Sequence, residues 1–204
     1  MRDYQSNIKE KLDSKEFRRF LLAWPRRSGK DKFAIQLCMD KCLESKSVVY
    51  YVVPMLRMAR NSSPFTDLKN TDEYVFHVKD MFIEFANGSS ITFLGEENSE
   101  KVGLFPPNLC IFSEYSMIDP ALASKIAAVC DDSGGNSIFI GTPFLKEDDP
   151  MRVLYNKVKD DKNWYTEALT IDDTKHMPPD YIKEQIDNGL ISEEAKQKEF
   201  YPSL

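Results

Sequence analysis

The sequence predicts an α/β domain with a largely parallel central sheet, and three observations carry that prediction. Four short runs, at 20–24, 47–53, 108–112 and 136–140, are dominated by apolar residues, the texture of strands covered on both faces. Between them lie segments with apolar residues at helical spacing, the alternation that builds parallel sheets. Three of the four runs then stop at residues able to do chemistry: Arg26-Arg27-Ser28-Gly29-Lys30-Asp31, Ser113-Glu114 and Gly141-Thr142-Pro143. Ligands of such sheets gather at the carboxyl ends of the strands.

In chain order, residues 4–12 are read as a helix and 20–24 as a strand broken by Pro25. A helix follows to about residue 43, because Phe33, Ala34, Leu37, Cys38 and Met39 share a face. The β-branched and aromatic run 47–53 is a buried strand closed by Pro54, and 55–60 begins another helix. The runs 81–85 and 90–94 flank Ala86-Asn87-Gly88-Ser89, and Asn-Gly between strand-like runs predicts a hairpin, here an antiparallel addition that decorates the sheet. Residues 95–107 are polar and irregular. After the strand at 108–112, Asp119 as N-cap and Pro120 at the first helical position start a helix to about residue 129. Gly134-Gly135 turns the chain into the strand at 136–140. A helix at 150–159, a last strand at 164–169 and two helices at 179–188 and 192–200 complete the expectation. The domain division expected is 1–171 for the sheet domain and 172–204 for a charged helical segment.

The chain has 204 residues, enough to bury roughly 70% of its unfolded surface and to fold without a disulfide or metal staple. Lys plus Arg is 27 against 33 Asp plus Glu, a net charge of −6, which excludes a globally basic nucleic-acid coat and leaves only local basic patches. Arg57, Arg60, Lys69, Lys79 and Lys101 form no continuous stripe. No apolar run approaches the ~20 residues of a membrane span, and the N-terminus lacks a signal-peptide core. Cys38, Cys42, Cys110 and Cys130 form no CxxC, and His77 and His176 have no cysteine neighbours. Zinc is not expected, the thiols are read as reduced, and the default compartment is the cytoplasm.

The first strand tip is compared with the phosphate loop G-x-x-x-x-G-K-[ST]. Gly29-Lys30 fits, Trp24 stands in place of the first glycine, and Asp31 in place of the Ser/Thr. A strand before and a helix after would aim backbone N–H groups at phosphate oxygens, with Lys30 as a point charge. At the second tip, an apolar strand delivers Glu114, but Ser113 occupies the position where Mg²⁺-binding loops carry Asp. The two departures compensate on paper: one carboxylate (Asp31) and one hydroxyl (Ser113) still face the metal shell, exchanged between strands, a donor set that Mg²⁺ tolerates. At the third tip, Thr142 is placed to sense a γ-phosphate. An ordinary basic turn, a helix-capping loop and a strand-ending proline turn are the plain alternatives for the three. The guanine signature N-K-x-D fails, because Lys159 takes its aspartate place after Asn156-Lys157-Val158.

In this order the motifs resemble the large terminase subunits of tailed phages and prophages, which package DNA with ATP. The resemblance rests on Arg26-Arg27-Ser28-Gly29-Lys30, on Ser113-Glu114-Tyr115 followed by Asp119-Pro120, and on Gly141-Thr142-Pro143 followed by an aromatic-bearing helix. Tyr4-Gln5 before the loop and Gln197-Lys198-Glu199-Phe200-Tyr201 at the end complete it. It implies an ASCE-type, RecA-like P-loop fold with an added β-hairpin and a small helical C-terminal segment. Gln5 would bind adenine, Arg26 (Arg27 less so) would be the arginine of the loop, Glu114 the catalytic carboxylate and Thr142 part of the coupling motif. The nucleotide contacts implied are Gln5, Arg27, Ser28, Gly29, Lys30, Asp31 and Thr142, with Mg²⁺ held at Asp31 and Ser113.

Two departures qualify the resemblance. Where family members often carry Arg-Gly before the glutamate strand, this chain reads Lys101-Val102-Gly103, and lysine lacks the bidentate fork of an arginine finger. Family members also continue into a metal-dependent nuclease, so this chain is expected to be the ATPase half, with no nuclease activity and residues 172–204 leading toward the missing part. The resemblance implies Mg-dependent ATP hydrolysis driving double-stranded DNA into a procapsid, with weak DNA contact by an isolated copy. It further implies a portal protein and a small terminase subunit as partners, a ring of copies on the procapsid, and the host cytoplasm. A degenerate domain that binds nucleotide without efficient hydrolysis, and another ASCE motor of helicase type, stay open at this point.

Overall fold

A computed structural model describes residues 1–61, 65–143, 146–202 and 204. The elements are α1 (Asp3–Asp13), β1 (Arg19–Ala23), α2 (Lys30–Glu44), β2 (Val48–Val52), α3 (Leu56–Arg60), β3 (Tyr74–His77), β4 (Phe82–Phe85) and β5 (Ser90–Leu94). They continue with β6 (Leu109–Ser113), α4 (Pro120–Asp132), β7 (Asn136–Gly141), α5 (Pro150–Val158), β8 (Trp164–Ala168), α6 (Ile171–Thr174), α7 (Pro179–Asp187) and α8 (Glu193–Phe200). Short 3-10 turns at Glu96–Lys101 and Tyr115–Met117 occupy connections.

The helix starts follow local chemistry. Asp119 accepts from the Ala121 N–H at 2.9 Å ahead of Pro120, and Asp149 does the same for Met151 at 2.8 Å ahead of Pro150. In each case a carboxylate satisfies an N–H that the first turn leaves unpaired, and proline occupies the one position where its missing N–H costs nothing.

The eight strands form one sheet in the order β3-β4-β5-β2-β6-β7-β1-β8. From β5 to β8 every neighbouring pair is parallel. The strands at the centre alternate between the two faces. Phe20, Leu22, Val49, Tyr51, Ile111, Ile138 and Ile140 pack with α1 and α2 on one face. Leu21, Ala23, Tyr50, Val52, Cys110, Phe112 and Phe139 pack with α4 and α5 on the other. Both faces being covered explains the unbroken apolarity of these runs. A third, small cluster of Ile171, Ile182 and Phe200 serves α6, α7 and α8.

The predicted hairpin is present, since β4 and β5 are antiparallel and Gly88 takes a positive φ of 79° in its turn. It joins the sheet directly. β5 pairs in parallel with β2 over five residues, so the hairpin continues the sheet, and β3 adds an antiparallel edge strand beyond it. The four residues of β3 alternate between half-buried and exposed, too short and too exposed to announce a strand in the sequence. Among the described residues no helix is long and apolar enough to cross a membrane.

Leu22 lies on β1 with no exposed surface, directly before the loop. Leu22→Ala is expected to lower the unfolding free energy by about 2–5 kcal/mol, measured as a fall in the urea midpoint at unchanged slope; a loss below about 1 kcal/mol would contradict the packing described.

Candidate functional site

Three parallel strands bring their carboxyl ends to one edge of the sheet. β7 lies between β1 and β6, with Ala23 opposite Gly141 and Ser113 opposite Ile140. The Trp24 N–H donates to the Gly141 carbonyl at 2.9 Å, and the Thr142 hydroxyl donates to the Trp24 carbonyl at 2.8 Å. Thr142 therefore fastens the root of the loop. A Cβ on Gly141 would come within 3.1 Å of the Tyr115 nitrogen; glycine here leaves room for the backbone that follows Glu114.

Lys30 opens α2 and its ammonium lies 3.0 Å from the Glu114 carboxylate, with side-chain exposures of 7% and 31%. Glu114 itself takes a left-handed conformation, φ 56° and ψ 47°, which a non-glycine residue adopts at a cost of about 1–3 kcal/mol where its surroundings demand it. Beside this pair the Ser113 hydroxyl donates to Asp31 Oδ1 at 3.1 Å. The carboxylate and hydroxyl that the sequence exchanges between strands thus stand against each other.

The loop from Pro25 to Gly29 makes its turn with Arg27 at φ 61° and Gly29 at φ 84°. Ser28 is fully buried and its Oγ has no hydrogen-bond partner among the described residues. Its carbonyl accepts from Tyr4 Oη at 2.6 Å and from Arg2 Nη1 at 2.9 Å. Gln5 accepts from the Arg2 N–H at 3.0 Å, and its amide nitrogen lies 3.5 Å from where a Cβ on Gly29 would stand. One cavity of ≈ 490 Å³ is bounded by Arg2, Gln5, Ser28, Gly29, Phe33 and Gln36. A second, of ≈ 300 Å³, is bounded by Arg26, Lys30, Glu114, Met117, Thr142 and Glu199. A roomier cavity of ≈ 970 Å³ lies among α6, α7 and α8, without any of the strand-end groups, so volume is a poor guide to the chemistry here.

Each residue named from the sequence has a place. Gln5, Ser28 and Gly29 line the first cavity; Arg26, Lys30, Glu114 and Thr142 line the second; Asp31, Ser113 and Glu114 line a third, of ≈ 140 Å³. Arg27 lines none of the three, and its guanidinium donates to the Tyr181 hydroxyl at 3.2 Å. Lys101 also lies outside them.

Sequence reasoning missed the partners of the loop. Arg26 pairs with Glu199 at 2.6 Å, and its N–H donates to the Glu199 carbonyl at 2.7 Å. His176 Nε2–H donates to the Arg26 carbonyl at 3.0 Å, the tautomer being assigned from this contact. No spacing rule links residues so far apart in the chain. Arg2 was equally unforeseen; only its proximity to Tyr4-Gln5 pointed that way.

The donor set fits Mg²⁺. Asp31 and Ser113 offer hard oxygens, and Mg²⁺ is held by one or two such groups with water and phosphate oxygens supplying the rest. Among the described residues no group of three His, Cys, Asp or Glu side chains gathers.

Fold and site together define a class: a RecA-like P-loop domain whose threonine strand lies between the loop strand and the glutamate strand. Comparison with solved structures narrows it. The chain is similar to the large terminase of a thermophilic bacteriophage in complex with ADP, at 16% identity and a TM-score of 0.74, covering 100% of this chain and 53% of that one. It is similar to a variant of the large terminase ATPase domain of Thermus phage P74-26, at 13% identity and a TM-score of 0.69, covering 97% and 91%. It is similar to the N-terminal domain of the DNA packaging ATPase from bacteriophage phi29, at 14% identity and a TM-score of 0.54, covering 83% and 97%. The chain spans about half the length of the thermophilic-phage terminases it matches. No protein-family model and no curated protein matches the sequence. The chain has the fold of phage large-terminase ATPase domains.

Burial holds the His176 pKa below its ordinary value of 6.5, partly opposed by its bond to Arg26. Because the folded form resists protonation, His176 contributes stability above 6.5 that is lost as pH falls toward the depressed value. Wild type is expected to lose more thermal stability than His176→Gln on acidification below 6.5, followed as melting temperature against pH; identical profiles would sink the assignment.

Proposed function

We propose that this chain is the ATPase part of a viral DNA-packaging motor of the large-terminase kind, hydrolysing Mg-ATP to move double-stranded DNA into a procapsid. The observation that carries the proposal is the Lys30–Glu114 pair at 3.0 Å, standing at the N-terminus of α2 with Thr142 fastening the adjoining strand tip. The complexes of a similar large terminase with ADP and with ATP-gamma-S support a nucleotide in this fold.

In this reading Gln5 and Phe33 bound the adenine side. The amides of 26–30 and the positive end of the α2 dipole receive the phosphates. Lys30 neutralises the β- and γ-phosphate charge, and Arg26 joins it once its partner Glu199 is exchanged for phosphate. Asp31 and Ser113 would hold Mg²⁺, which would supply Lewis-acid charge neutralisation there. Glu114 turns from Lys30 to orient the attacking water, and the γ-phosphoryl group passes in line to that water as its bridging P–O bond to the β-phosphate breaks and ADP leaves. Positioning and charge stabilisation carry most of such a reaction. Thr142 holds the loop root and so reports a change in it to β7.

Residues 1–171 form the catalytic domain in this proposal and 172–204 a segment that passes motion onward. The partners proposed are double-stranded DNA, a portal protein, a small terminase subunit and neighbouring copies in a ring, in the cytoplasm of an infected bacterium. With a net charge of −6, one copy should hold DNA weakly and lose it steeply as salt rises.

Glu114→Gln is expected to lower kcat by about 10²–10⁴-fold with ADP still bound, while Lys30→Ala loses nucleotide affinity as well. A phosphate-release assay beside a binding titration separates these outcomes. Normal turnover by Glu114→Gln refutes the catalytic assignment. Tight Mg-ATP binding by the wild type without turnover would instead favour a degenerate nucleotide-binding domain, a reading to which the position of Asp31 after Lys30 also points.

A further inference from the structure

β2 carries two adjacent tyrosines that face opposite sides of the sheet, and their hydroxyls meet opposite fates. The Tyr50 O–H donates to the Phe105 carbonyl at 2.7 Å and accepts from the Gly103 N–H at 3.3 Å. The Tyr51 hydroxyl is buried and no hydrogen bond closes on it among the described residues, although the residue is wholly inside the protein. Its ring is fixed between Phe65, edge-on with centroids 5.2 Å apart, and Phe93, at 5.6 Å. A phenylalanine would fill the same space without burying a polar atom, and burying an unpaired hydroxyl is unfavourable.

The register says where this hydroxyl lies. Tyr51 stands opposite Ile111 on β6, and Ser113 is the next residue of β6 on that face. The same face packs against α2, whose first turn carries Asp31. Burial is the main cause that holds the Tyr51 phenol well above the ordinary tyrosine range; the Asp31 and Glu114 carboxylates and the Cys38 thiol add to it, and the Ser113 side chain, within hydrogen-bonding reach, acts the other way. A phenol O–H is a hydrogen-bond donor. The small cavity bounded by Asp31, Ser113 and Glu114 does not include Tyr51 in its wall, so the phenol supports these groups from the core.

We propose that Tyr51 is a positioning residue for the Asp31–Ser113 pair, its O–H donating to that pair when the two side chains turn toward a divalent cation bound with nucleotide. The Ser113 hydroxyl proton is directed at Asp31. A donor from below fixes the serine oxygen and leaves the outer lone pairs of both groups aimed at the cation. Partners of this kind, which hold metal-binding groups without touching the metal, set affinity by restricting orientation. The proposal rests on the nucleotide reading above and adds to it a residue that contacts neither nucleotide nor ion.

The test measures binding of a fluorescent N-methylanthraniloyl-ADP to the whole chain, once in excess Mg²⁺ and once in EDTA. The quantity read is the factor by which Mg²⁺ tightens binding. In Tyr51→Phe that factor is expected to fall about tenfold, with the EDTA affinity unchanged and the melting temperature equal or higher, since only an unpaired hydroxyl is removed. In an Asp31→Asn background the same substitution should change nothing further, which a packing defect would not reproduce. Equal tightening in wild type and Tyr51→Phe overturns this proposal alone. A wild-type affinity indifferent to Mg²⁺ overturns it through the metal, and no binding under either condition overturns the nucleotide reading together with it.

Discussion

An ammonium and a carboxylate 3.0 Å apart, the lysine only 7% exposed, impose a constraint that the rest of the architecture has to satisfy. Removing Glu114 would leave the buried Lys30 ammonium without its partner, while Glu114 itself keeps partial contact with solvent. Lys30 and Glu114 therefore have to be held at one height, although they stand far apart in the sequence. The sheet does this. β1 and β6 are both registered on β7, so the loop, the glutamate and Thr142 emerge side by side. Gly141 is part of the same constraint, because a side chain there would press on the backbone that carries Glu114 into its left-handed turn.

The loop is held from two further sides by parts of the chain with little core of their own. α1 supplies Tyr4, bound to the Ser28 carbonyl, and Arg2 at its start reaches the same oxygen. The C-terminal segment, whose cluster is built on three buried residues, supplies Glu199, His176 and Tyr181. An exposed pair such as Arg26–Glu199 contributes little in free energy. Its consequence is directional: an arginine held by Glu199 is not free to meet an anion, so whatever attracts Arg26 also loosens the segment. The loop geometry and the position of 171–201 are linked through these contacts.

Features that depend on neighbours in sequence were legible beforehand. Asp119-Pro120 marked the start of α4, because a cap and a proline act within one turn. The apolar strand runs were legible because burial on both faces leaves no alternation to obscure them. β3 escaped, since its four residues show only half-burial and derive their pairing from β4. The hairpin was recognised from Asn87-Gly88, but its parallel bond to β2 was not, because nothing local distinguishes a free hairpin from one whose second strand joins a sheet. At the site, Lys30, Glu114 and Thr142 were legible as strand-end residues. Tyr51 was read as buried and nothing more, and the sequence carries no sign that its hydroxyl faces the Asp31–Ser113 pair.

The sequence by itself determined the kinds of element, their order, the residues that stand beyond three strand ends and the acidic balance of the chain. It did so because propensity, capping and the phosphate-loop pattern are properties of a few adjacent residues. The strand order, the interposition of β7, the contact of Asp31 with Ser113 and the hold of Glu199 on Arg26 were decided only in the tertiary structure. Each depends on registers between segments tens of residues apart, and those are fixed by how both faces of one sheet are filled at once.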